Sequence, residues 1–170
     1  MTAQPGAEPS SVTEKEIEDL RANPTPQSLY SLCVRLFLEQ RGIEAFKLIL
    51  DMVAQHLDNT NIVATAASLL WEYTARHDVV VVLMRHVVQR EPYNLPARRS
   101  LANDLITSGE EAEGYALFSS LIEQNPNRRA DLCEHLSKVL LDTGRLDEAI
   151  RILEFWATTG EETFALANNM

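Results

Sequence analysis

Apolar residues recur along most of this chain at intervals of three and four positions, the spacing that places them on one face of an α-helix. The clearest stripe, near the C-terminus, consists of Leu146, Ala149, Ile150, Leu153, Trp156 and Ala157. A shorter stripe before it consists of Leu132, Leu136, Val139 and Leu140. These patterns predict amphipathic helices that bury one face.

Turn residues interrupt the stripes at a nearly constant interval. One set consists of Gly42, His77, Gly109 and Gly144, which are separated by 35, 32 and 35 residues. A second set alternates with it at Asp58-Asn59, Pro92-Tyr93-Asn94, Asn125-Pro126-Asn127 and Thr159-Gly160. A period of about 34 residues is typical of stacked helical hairpins. The predicted hairpins are 26–41 with 43–57, 60–76 with 78–91, 94–108 with 110–124, and 128–143 with 145–158.

The expected architecture is an all-α, right-handed solenoid of about four antiparallel hairpins with short helices at both ends. Thr13 and Glu16 have capping-box spacing, which predicts a short N-terminal helix. Residues 1–12 are rich in Pro, Ser, Ala and Gly and are expected to form a disordered tail, so residues 13–170 would be a single repeat domain. A short final helix is expected to carry Phe164 and Leu166.

One segment has a conflicting pattern. Residues 79–84 read Val-Val-Val-Val-Leu-Met, a β-branched run that by itself is typical of a buried strand. The run lies where the second helix of a hairpin belongs, and a single strand would have no partner for its backbone hydrogen bonds. We therefore predict helix for this segment.

Composition narrows the choice of partners. The formal net charge of −10 disfavours binding to nucleic acid, which depends on Lys and Arg displacing counterions, and to anionic membranes. A basic or neutral protein partner fits better, although a merely solvated acidic surface is also compatible.

Cys33 and Cys133 lie in different repeats and are expected to be buried free thiols, as in a reducing compartment. The chain shows neither a signal-peptide pattern nor an apolar run of ~20 residues, which predicts a cytoplasmic location without membrane insertion.

The third and fourth hairpins resemble tetratricopeptide repeats. The stretch from Thr143 to Ile150 is similar to that family's turn and second-helix opening, with Ala149 as the small residue that permits close packing. The other matching positions are Gly114 and Phe118 in second helices, Ala102 and Ser137 in first helices, and Pro92 and Pro126 between repeats. The match is good over 94–158, moderate over 60–92 and poor over 26–57, where Gly42 and Ala45 lie too close together.

The resemblance implies that the first helix of each hairpin lines a concave groove for another protein. It places Tyr30, Val34, Phe37 and Trp71 in an apolar half of that groove, and Arg99, Asn103, Glu134 and Lys138 in a polar half. Such a surface suits an extended peptide or an amphipathic helix. The alternative for Phe37 and Trp71 is a structural role in the core between hairpins.

Arg99 and Asn103, four positions apart, also resemble part of the carboxylate clamp that some members of this family use. The next repeat offers Glu134 and His135 where further clamp residues would be expected, and an acid there would repel a carboxylate. Asp131 and His135, one helical turn apart, are interpreted as a surface hydrogen-bonded pair.

The sequence contains no recognisable catalytic or phosphate-binding motif, and we expect neither enzymatic activity nor a metal or cofactor. The preferred hypothesis is an adaptor or small chaperone that holds a segment of a partner protein. One alternative is a self-assembling scaffold that pairs with another copy through its C-terminal end. Another is a non-catalytic subunit of a larger enzyme or secretion complex.

Overall fold

The computed structural model describes residues 11–158, with side chains described from 11 to 154. Every regular element in that range is helical. The elements are α1 (Glu14–Ala22), α2 (Pro26–Leu38), α3 (Gly42–Gln55), α4 (Thr60–Tyr73), α5 (His77–Arg90), α6 (Leu95–Ser108), α7 (Glu111–Gln124), a 3-10 turn (Pro126–Arg128), α8 (Arg129–Asp142) and α9 (Leu146–Thr158). The predicted final helix after residue 160 lies outside the described residues.

The chain divides into two compact units, Met1–Arg76 and His77–Met170. In the first unit α1 packs on α2, α2 packs on α3 and α4, and α3 packs on α4. In the second unit α5 packs on α6, α6 on α7 and α8, and α8 on α7 and α9. The first, third and fourth predicted hairpins are therefore confirmed. The helices of the second, α4 and α5, belong to different units, so their pairing and the single domain remain predictions.

The valine-rich segment is helical, as predicted, because its burial follows the helical period. Val80, Met84 and Val87 lie on one face of α5 and are buried, and Val81 beside them is buried as well. Val82 points away from this face and is 63% exposed. A helix can bury this apolar stripe in one packed surface, whereas a strand would turn alternate residues to opposite faces.

Two of the four predicted turn residues are placed differently in the structure. Gly109 and Gly144 end helices in the left-handed conformation, with φ of 93° and 79°, as predicted. Gly42 is instead the first residue of α3, and His77 is the first residue of α5. After α2 the left-handed position is taken by Gln40, with φ of 61°.

The turn at Gln40 has the same hydrogen bonds as the two glycine turns. The Gln40 amide donates to the carbonyl of Phe37 at 3.0 Å, and the Arg41 amide donates to Leu36 at 2.8 Å. Equivalent bonds close the turns after α6 and α8. The first hairpin therefore ends its first helix as the third and fourth do. Its poor sequence match followed from taking Gly42 as the turn residue.

With Gln40 as the reference, one small buried residue occurs five positions after each of these three turns. These residues are Ala45, Gly114 and Ala149. At Gly114 a Cβ atom would lie only 2.6 Å from Cγ1 of Ile106 and 2.9 Å from the carbonyl oxygen of Ala102. The backbones of α6 and α7 thus approach each other more closely than any side chain at position 114 allows.

The last two residues of the predicted tail are held in place in the first unit. The Val12 side chain is 5% exposed. Its amide donates to Oε1 of Glu39 at 2.8 Å, and Arg41 donates to its carbonyl oxygen at 2.7 Å. Burial disfavours the ionised form of Glu39, but hydrogen bonds from Val12, Arg41 and Ser11 outweigh burial and lower the pKa of this carboxyl. Glu39 and Arg41 therefore hold residues 11 and 12 against the first unit.

We expect Glu39→Ala to lower the free energy of unfolding more than Glu44→Ala does, because it leaves the half-buried polar groups around Val12 without their charged partner. Glu44→Ala is the matched control, since Glu44 also pairs with Arg41 (2.8 Å) but does not bind Val12. Urea denaturation of both variants measures the difference. Equal losses would show that the contact with Val12 contributes nothing.

Both cysteines are buried free thiols, as predicted. Burial raises the pKa of both, that of Cys33 to about 12, so neither forms a thiolate at neutral pH. Cys33 lies in the first unit and Cys133 in the second.

Candidate protein-binding site

The predicted groove residues form two sets, one in each unit. Tyr30, Val34 and Phe37 lie on α2 and Trp71 lies on α4, two helices that pack side by side in the first unit. In the second unit, the polar residues lie on another packed pair of helices, α6 and α8. Arg99 and Asn103 are on α6, and Glu134 and Lys138 are on α8.

The aromatic set of the first unit is a seam between α2 and α4. The Phe37 ring stacks on the Tyr73 ring, with centroids 4.6 Å apart and planes 6° from parallel. The Tyr30 hydroxyl donates to Glu72 at 3.1 Å. Phe37, Val34 and Trp71 are all half-buried. The stacking gives Phe37 a structural role, the alternative considered from the sequence. Tyr73 and Glu72 were not among the residues predicted for this surface.

In the polar set, Asn103 and His135 are joined across α6 and α8. Nδ2 of Asn103 lies 2.8 Å from Nε2 of His135, a hydrogen bond in which the neutral imidazole accepts. The His135 ring also lies beside the Phe118 ring, with centroids 6.2 Å apart. The predicted pairing of His135 with Asp131 is wrong, because Asp131 binds Arg128 at 3.2 Å instead.

The electrostatic surroundings keep His135 neutral. Burial lowers its pKa below 6.5, and the positive charges of Arg99 and Lys138 lower it further. Arg99 is half-buried and Lys138 is exposed. We call Arg99, Asn103, His135 and Lys138 the polar cluster. It combines two cations, an amide and an imidazole, groups that bind carboxylates well.

The two cations of the polar cluster lack the ion pairs that other arginines of the second unit form. Arg85 pairs with Glu110 at 2.6 Å, and Arg145 pairs with Glu111 at 2.8 Å. The side chains of Arg99 and Lys138, by contrast, make no hydrogen bond or ion pair with another residue in the described range. The Oδ1 atom of Asn103 is also buried there without a hydrogen-bond partner. No acidic side chain in the described range forms an ion pair with the two cations of the polar cluster, and the exposed Glu134 lies one helical turn before Lys138 on α8.

The predicted apolar stripe of α9 is only partly buried. Ala149 and Ile152 face the core of the second unit. Leu146, Ile150 and Leu153 are 56%, 43% and 40% exposed. The predicted stripe included three exposed residues and omitted Ile152, which is buried. The side chains of Trp156, Ala157, Phe164 and Leu166 lie outside the described residues, so the predicted C-terminal assembly surface remains a prediction.

Neither a membrane-spanning helix nor a cluster of metal ligands occurs among the described residues. No helix between residues 11 and 158 combines the length and apolar character needed to cross a bilayer. Within the same range, no three His, Cys, Asp or Glu side chains converge as metal ligands would. The cytoplasmic location remains a prediction.

Comparison with known proteins identifies similar structures and no similar sequence. No protein-family model and no curated protein matches the chain. Two crystal structures of MamA match it, each with a TM-score of 0.56 and 13% sequence identity, over 82% of this chain and 81% and 75% of the MamA chains. A third structure, MamA of AMB-1, has a TM-score of 0.53 and 16% identity, over 83% and 92% of the two chains. The chain therefore has the all-helical repeat fold seen in MamA.

Proposed function

We propose that this chain is a tetratricopeptide-type interaction module that binds a carboxylate-bearing segment of another protein at the polar cluster. One observation carries the proposal: Arg99 and Lys138 flank the Asn103–His135 pair without neutralising partners in the described part of a chain whose net charge is −10. Unpaired cations on an acidic protein attract an anionic group locally, while the rest of the surface repels long polyanions. The module would act as an adaptor or small chaperone without catalysing a reaction.

The repeat register supports the assignment to tetratricopeptide repeats. In each predicted first helix a small buried residue recurs at the same place, at Cys33, Ala67, Ala102 and Ser137. These positions are separated by 34, 35 and 35 residues. A nearly constant interval with a small buried residue at each position indicates one packing unit repeated along the chain.

An array of acidic peptides tests the proposal, each peptide being present with a free and with an amidated C-terminus. We expect the purified protein to retain peptides that carry carboxylates, and Arg99→Ala combined with Lys138→Ala to weaken binding at least ~10-fold, a typical loss for charge-assisted hydrogen bonds. Arg151→Ala is the control, since Arg151 is an exposed cation of the same unit. The free and amidated forms separate C-terminal from side-chain carboxylates. Unchanged retention by the double variant would contradict the proposal.

Self-assembly is the second candidate, favoured by the exposed Leu146, Ile150 and Leu153 of α9. A helical repeat protein gains stability when an exposed apolar helix face is covered. Light scattering across a wide concentration range distinguishes the candidates, because a constant monomer mass would exclude assembly through this face.

A further inference from the structure

We propose that the polar cluster is a proton-linked site, in which binding of a carboxylate-bearing peptide is accompanied by proton uptake at His135 and by a half-turn of the Asn103 amide. This inference rests on the proposed function and adds a regulation to it: the peptide would bind more tightly as the pH falls through the range in which His135 takes up its proton.

Without a ligand, the orientation of the Asn103 amide is set by its hydrogen bond to neutral His135. Neutral His135 accepts the hydrogen bond from Nδ2 of Asn103, and this orientation of the amide leaves Oδ1 buried without a partner. A protonated His135 would have a hydrogen on Nε2 and would need an acceptor there. A half-turn of the Asn103 amide supplies Oδ1 as that acceptor and turns Nδ2 to the position that Oδ1 occupied.

Two cations dominate the charge balance around the His135 ring. Arg99 on α6 and Lys138 on α8 both disfavour a charged His135. The element α7 contributes the uncharged ring of Phe118. On α8 itself, Asp131 is engaged by Arg128, and Glu134 is exposed. The positive field of the two unpaired cations is therefore the part of this environment that a bound anion would change.

Binding of the carboxylate is linked to protonation of His135 through the two cations. A carboxylate held by Arg99 and Lys138 neutralises their field, so the imidazolium form of His135 becomes easier to form in the complex than in the free protein. A complex that binds more protons than its free components gains affinity as the pH falls. The same coupling requires that ligand binding raise the pKa of His135.

Nuclear magnetic resonance of the full chain tests this directly, with N-acetylated hexaglutamate as the probe and sodium chloride at equal ionic strength as the reference. We expect saturation with the peptide to raise the His135 pKa by about half a unit to one unit, and the affinity to increase about 3- to 10-fold between pH 8 and pH 5.5. His56, His77 and His86 report in the same spectra as internal references. A His135 pKa that does not move at saturation would overturn the proposal.

His135→Gln separates proton linkage from a general charge effect, because an amide can keep a hydrogen bond to Asn103 but does not titrate. We expect this variant to bind the peptide with an affinity nearly independent of pH, and the matched variant His86→Gln to keep the pH dependence of the native chain. A pH dependence that persists in His135→Gln would overturn the linkage. If the native affinity is also pH-independent but still depends on Arg99 and Lys138, the linkage is wrong and the proposed function stands. Unimpaired binding by the Arg99 and Lys138 variant would contradict the function itself.

Discussion

Asp104→Asn should raise the free energy of unfolding by about 2–4 kcal/mol at pH 8. Asp104 is 8% exposed on the face of α6 that also carries Ala97 and Leu101. Its side chain makes no hydrogen bond or ion pair with another residue in the described range. Burial raises its pKa from 3.8 to about 7, a change of about three units. An uncompensated buried charge at pH 8 therefore costs more stability than an uncharged amide of the same shape.

The pH dependence has a definite sign. The folded-state pKa of Asp104 lies above its unfolded value, so the folded state binds the proton more tightly. The penalty is absent below about pH 4, grows between pH 4 and pH 7, and is complete above pH 7. The stability difference between the variant and the native chain should follow this curve in urea denaturation at several pH values.

Asp142→Asn is the matched control for this prediction, because Asp142 is an exposed residue of α8 in the same unit. Its replacement should change stability by less than about 0.5 kcal/mol at any pH. A difference for Asp104→Asn that is the same at pH 4 and pH 8 would show that the carboxyl group is not the buried, destabilising charge described above.

Gly114→Ala should lower the free energy of unfolding by about 1–3 kcal/mol, the usual cost of overpacking. In an open helix position this substitution is stabilising by about 0.5–1 kcal/mol, so steric exclusion has to exceed that gain. The new Cβ would lie 2.6 Å from Ile106 and 2.9 Å from the carbonyl oxygen of Ala102. A backbone oxygen cannot move aside without shifting α6, so the two helices must separate.

Gly42→Ala is the control for this second prediction. Gly42 begins α3, and a Cβ there would contact the Phe37 ring at 3.6 Å, an ordinary van der Waals distance. We expect this variant to be as stable as the native chain or slightly more stable. Thermal unfolding of the two variants measures the contrast. A Gly114→Ala protein as stable as Gly42→Ala would mean that α6 and α7 are not closely packed at this point.

The helices of this protein follow from its sequence, because helix formation depends on local spacing. The repeat period predicted α5 correctly, because the segment lies where the second helix of a hairpin belongs, even though Val79 to Val82 have a strong preference for strands. Gly109 and Gly144 were recognised as turns because a left-handed backbone normally requires glycine. Gln40 adopts the same conformation without that signature, so the first turn could not be located from residue types alone.

Tertiary structure decided the chemistry of the candidate site. Asn103 and His135 are 32 residues apart, and only the packing of α6 against α8 brings their side chains within 2.8 Å. Aspartate is a residue type usually found on the surface, but Asp104 is buried because its neighbours on α6 pack into the core. The sequence by itself determined the helices, their period and the small residues at the contacts of the third and fourth hairpins, since these depend on local geometry. Which charges remain unpaired depends on neighbours distant along the chain, and that was settled only by the folded structure.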